Sequence, residues 1–152
     1  MAFFAAARQG RRDDAELGQG VWRRAHDRFG RGLDRFHQML EGVEDAGLFD
    51  RLVPVANALA DLLPRVRTVC TDAQSLAPSS STDIPASEGG YLNEVHRALS
   101  RAGNALATAA EAVAMLRLGS GSLESVERRA RTVHEQVAEA ERLLRRRPGA
   151  PD

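Results

Sequence analysis

Apolar residues recur at alternating three- and four-residue intervals in four stretches of the chain. The first is Trp22, His26, Phe29, Leu33, Phe36, Leu40 and Val43, and the second runs through Leu48, Leu52, Val55, Leu59, Leu62, Val66, Val69, Ala73 and Leu76. Leu92, Val95, Leu99, Ala102, Leu106, Ala109, Val113 and Leu116 form the third; Leu123, Val126, Ala130, Val133, Val137, Ala140 and Leu144 form the fourth. This spacing aligns each set on one side of an α-helix, and such a stripe needs other helices to cover it. The pattern predicts an all-α fold, an antiparallel up-down-up-down four-helix bundle over residues 19–147, with helices at 21–46, 50–76, 91–118 and 122–147. Helices of about 25 residues would be about 38 Å long.

Punctuation refines this plan. Residues 1–18 carry charge clusters without a sustained period, and Gly18 and Gly20 interrupt them, so a flexible N-terminal segment is expected there; residues 148–152 are read as a tail. Gly47 suits the end of the first helix and Asp50 the N-cap of the second. Pro54 falls in the opening turn of that helix, but Pro64 lies in its interior, where a missing N–H should bend the axis between Ala60 and Pro64. The stretch 77–90, rich in Ser, Pro and Gly, predicts an irregular linker long enough for a non-adjacent connection. Ser122 should cap the fourth helix, and Arg145, Arg146 and Arg147 match the negative end of its dipole.

Composition adds limits. One domain suits 152 residues, and a single cysteine, Cys70, leaves no internal disulfide. All 21 basic residues are arginine, which points to a GC-rich bacterial genome of actinobacterial type rather than to chemistry. The formal net charge is zero, unlike that of a wholesale nucleic-acid binder. With neither a membrane-length apolar run nor a secretory leader pattern, a cytoplasmic protein is expected. Phe3 and Phe4, followed by Arg8, Arg11 and Arg12, combine apolar and basic character as membrane-surface anchors do, although a frayed end explains them too.

Candidate chemistry is sparse. Counting residues inward from the helix ends puts His26, Cys70 and His96 in a common layer, the basis for a metal-binding or sensor alternative, but no close ligand motif supports it. The segment Asp34 to His37 is one imperfect analogue of a di-iron motif that needs two. His26-Asp27-Arg28-Phe29-Gly30 resembles the phosphoacceptor motif of histidine phosphotransfer domains over five residues, yet has Phe29 where that family has a basic residue. No cofactor, catalytic constellation or small-molecule substrate is indicated, and the chain is not expected to be an enzyme.

Surface features point to contact instead. Arg24, Arg28, Arg31 and Arg35 repeat on the outer side of the first helix, and Arg142, Arg145, Arg146 and Arg147 close the fourth, where they suggest a basic end able to take nucleic acid or a membrane surface. Ala98, Ala105 and Ala112 lie on an extra alanine face of the third helix, open either to its own neighbours or to another subunit. The leading expectation is therefore a non-catalytic interaction module that engages a protein partner or self-associates.

Overall fold

The computed structural model describes residues 2–152, which are all-α and 79% helical, with no strand among them. Six α-helices are present: α1 (Ala2–Leu17), α2 (Val21–Glu41), α3 (Ala46–Ala60), α4 (Leu62–Leu76), α5 (Tyr91–Arg117) and α6 (Leu123–Arg145). Because α3 and α4 are two parts of one bent rod, five rods pack together. The expectation of four rods behind a flexible segment is corrected on this point, since residues 2–17 form a helix.

The four seams are the core. Trp22, Phe29, Leu33, Phe36 and Leu40 of α2 are buried with Leu52, Leu59, Leu62, Val66 and Val69 of the bent rod. They meet Leu92, Val95, Leu106 and Val113 of α5 and Val126, Val133, Val137 and Leu144 of α6. At the bent rod the stripe departs from its sequence pattern: Ala56 is buried and Val55 only partly so, and Leu76 is largely exposed. The break falls at Asp61, in the expected interval. Pro64 has no N–H for the carbonyl of Ala60, so the α-ladder stops there and restarts one residue later.

Two helix boundaries differ from expectation. Helix α2 ends at Glu41 on Gly42, and α3 starts at Ala46 because Asp45, not Asp50, is the N-cap, its carboxylate accepting the Leu48 N–H at 2.9 Å. Pro54 therefore sits well inside α3 rather than in its opening turn. Ser122 does cap α6, accepting the Ser125 N–H at 3.1 Å.

Neighbour relations decide where surfaces form. Helix α2 packs against α5 on one side and the bent rod on the other, and α6 also touches both, so α5 and the bent rod occupy diagonal positions. Residues of α2 and α5 meet in ascending order, with Trp22 by His96, Arg28 by Asn104, Gly32 by Leu106 and Gly42 by Arg117; these two helices run parallel. The linker 77–90 crosses one end of the molecule to make the diagonal connection. It is fastened to the start of α2: Ser79 Oγ accepts the Val21 N–H at 3.2 Å and donates to the Ser81 carbonyl at 3.1 Å, and Trp22 Nε1 donates to the Ala77 carbonyl at 3.3 Å. A Cβ on Gly20 would lie 2.4 Å from the Ser79 backbone, so only glycine allows this approach.

Candidate functional site

Two features of the surface carry chemistry: the outer half of α1 and a groove between α2 and α5. Helix α1 folds back beside α2 and α4, held at its C-terminal half by two arginines. Arg67 of α4 bridges Asp13 at 2.7 Å and Glu16 at 2.8 Å, and Arg23 of α2 binds Asp14 at 2.8 Å and Asp27 at 3.0 Å. Burial pushes the Asp13 carboxyl up, but hydrogen bonds from Arg67 and Gln9 and the charges of Arg67 and Arg23 outweigh it, so its pKa lies below the ordinary value. Glu16 is lowered chiefly by hydrogen bonds from Arg67 and Arg12. Leu17 is fully buried behind this clamp.

Beyond the clamp the helix has no cover. Phe3 and Phe4 are 79% and 64% exposed, with their rings edge to face at 5.7 Å. Arg12 pairs with Glu16, whereas Arg8 and Arg11 are exposed and have no carboxylate partner among the described residues. All three acidic residues of α1 thus face arginines of the fold, leaving the outer half apolar and basic. Helix α1 packs along α4, and Arg23 is engaged by Asp14 and Asp27. Arg142 pairs with Glu139, and Arg147 donates to the Leu144 carbonyl at 2.7 Å, while Arg145 and Arg146 remain exposed.

The end of the molecule where α2 meets α3 and α5 meets α6 has the opposite character. Glu41, Glu44 and Asp50 are exposed without a basic partner among the described residues. Leu118 and Met115, 82% and 48% exposed, lie at the same end, where Arg117 approaches Gly42.

The groove between α2 and α5 has a volume of about 230 Å³ and is lined by Arg24 and Arg28 from α2, His96 and Ser100 from α5, Thr82 from the linker, and an apolar wall of Val21, Ala25 and Leu99. Arg28 donates to the side-chain oxygen of Asn104 and lies over Gly103. His96 is held below the usual imidazole pKa by burial and then by the Arg28 charge, so it is neutral near pH 7. Its ring meets the Trp22 indole edge-on at 6.2 Å.

Of the other sequence candidates, His26, Cys70 and His96 do not assemble into a ligand set. No three His, Cys, Asp or Glu side chains among the described residues could hold a metal ion. His26 Nδ1 faces Asp27 at 2.9 Å, His96 turns to Trp22, and Cys70 is fully buried with its thiol pushed up to about 12, mainly by burial and then by the Asp27 charge. Ala98 is buried inside the fold, and Ala105 and Ala112 are partly buried against its core. Arg31 and Arg35 remain on the exposed side of α2. Sequence reading missed the groove residues Thr82 and Ser100, for which no local signal exists, and the α1 clamp, whose signal is the acidic run Asp13, Asp14, Glu16 just before Leu17.

No helix among the described residues is long and apolar enough to cross a membrane. Comparison with protein-family models, curated proteins and solved structures found no match.

Proposed function

We propose that this chain is a non-catalytic helical interaction module that associates with further copies of itself through the outer half of α1. In this reading α2, the bent rod, α5 and α6 form an up-down-up-down four-helix bundle, and α1 is an arm clamped to its flank. The observation that carries the proposal is the pair Phe3 and Phe4, exposed on a helix whose only anchored half is the other one. A short helix without tertiary contacts is marginal in water, so the outer turns gain stability when something covers them.

Charge selects the occupant. The arm presents Arg8 and Arg11 beside its two phenylalanines; the α2–α3 and α5–α6 end presents Glu41, Glu44 and Asp50 beside Leu118 and Met115. The two surfaces carry opposite signs in these residues and each includes exposed apolar side chains, which makes the contact heterologous and able to build rings or open chains. Covering two phenylalanines contributes about 3–6 kcal/mol before the cost of association is met, so the contact is weak and is populated only at high protein concentration.

Charge reversal tests it. Both Arg8→Glu/Arg11→Glu and Glu41→Arg/Glu44→Arg should lose self-association in sedimentation equilibrium, and an equimolar mixture should regain it, because reversed arms meet reversed ends. Association of the wild type that neither reversal weakens would overturn the proposed surfaces. So would a monomeric wild type whose arm instead binds anionic lipid vesicles.

A further inference from the structure

The groove between α2 and α5 stands apart from the arm and from every surface used above. Arg24 and Arg28 have no carboxylate partner among the described residues, and the two line one concave surface together. No carboxylate lines that groove. The nearest acidic side chain of the adjoining recess, which shares His96 and Ser100, is Glu94, and it is paired with Arg97 at 2.8 Å.

We propose that this groove binds the phosphate group of a small phosphorylated molecule. Two guanidiniums supply two positive charges and forked donors that match phosphate oxygens, and the hydroxyls of Thr82 and Ser100 add donors from a second and a third element. At about 230 Å³ the groove has room for a phosphate with a short carbon chain, and it adjoins the recess that shares His96 and Ser100. Val21, Ala25 and Leu99 offer the chain an apolar wall. The parallel packing of α2 against α5 creates the site: it sets Arg28 over Gly103, where a side chain longer than alanine would displace it.

The chain carries its own reporter. Trp22 is the only tryptophan, is fully buried, and lies edge-on to His96, which lines the groove. Trp22 fluorescence should therefore be titrated with inorganic phosphate and with glycerol phosphate, with glycerol as control, at constant ionic strength and at micromolar protein, where the arm contact is absent. Calorimetry under the same conditions provides a second readout. The expected result is a saturable response to both phosphates and none to glycerol, with affinity falling at least tenfold in Arg24→Gln and in Arg28→Gln and unchanged in Arg31→Gln on the exposed side of the same helix. Tighter binding of glycerol phosphate identifies an ester as the ligand; equal binding identifies free phosphate, and either supports the site. Absence of saturable binding by both methods, or equal affinity in the folded Arg24→Gln and Arg28→Gln variants, would overturn it.

Discussion

Two glycines in α2, two residues apart, should respond differently to the same substitution. Gly30 has nothing within 4 Å of the place where a Cβ would stand, whereas a Cβ on Gly32 would lie 2.8 Å from Leu106 Cδ2 and 3.1 Å from its Cγ. Both positions are inside the helix, so each Gly→Ala change should gain about 1 kcal/mol of helix propensity. At Gly32 the added methyl also overfills the α2–α5 contact. Leu106 is fully buried and cannot swing into solvent, and overpacking of this kind costs about 1–3 kcal/mol. Gly30→Ala should therefore stabilise the protein by about 1 kcal/mol, and Gly32→Ala should leave it unchanged or destabilise it by up to about 2 kcal/mol. In a chain of this length the separation corresponds to several degrees in Tm, at about 2–4 °C per kcal/mol. Urea unfolding followed by circular dichroism reads the difference directly. Leu106→Ala provides the cross-check: it should cost about 2–5 kcal/mol alone, and adding Gly32→Ala in that background should be stabilising because the methyl then fills part of the void. Equal stabilisation by both glycine substitutions would refute the close parallel packing of α2 on α5.

The clamp and the core give three further predictions. Arg67→Met should release α1, raising its amide exchange to that of an unanchored helix while the four seams keep their protection. Lowering the pH of the wild type should do the same, because Asp13 and Glu16 have lowered carboxyl pKa values in the folded chain. Their contribution is complete above the unfolded carboxyl range near pH 4 and is lost as pH falls through the lower folded values; protection of the α1 amides, taken relative to their intrinsic exchange rates, that stays constant between about pH 5 and 2 would contradict the clamp. Cys70, buried as the thiol, should be inert to a disulfide reagent at pH 8 in the native protein and react fully in denaturant. Rapid native labelling would show that the α2–α4 contact opens.

The stripes were legible because each is a property of one helix: Phe29, Leu33, Phe36 and Leu40 bury on the face their spacing defines, and Pro64 stops a hydrogen-bond ladder wherever it occurs. What escaped depends on partners far along the chain. Helix α1 contains Gly10 and ends at Gly18, so its local signals read as a flexible segment; Arg67, fifty-one residues beyond Glu16, anchors it. The cap moved from Asp50 to Asp45 because any aspartate before a hydrophobic run can serve, and Asp45 is the one whose carboxylate reaches the Leu48 N–H. His26, Cys70 and His96 fell near one another in an end-to-end count, but that count carries no information on rotation about each axis, and the side chains turn to Asp27, the core and Trp22. The groove was invisible for a related reason: Arg24 and Arg28 read as part of a solvated face until α5 is known to lie parallel beside them, with Thr82 of the crossing linker over the same recess.

Sedimentation velocity over a concentration series, from micromolar to near-millimolar, tests the interaction reading most directly when wild type and Phe3→Ser/Phe4→Ser are compared. The wild type should move from the 16.5 kDa monomer to larger species at the upper concentrations, weakening as salt is added, and the double variant should remain monomeric throughout with unchanged thermal stability. A wild type that stays monomeric across the series, or a double variant that associates just as well, would contradict the account.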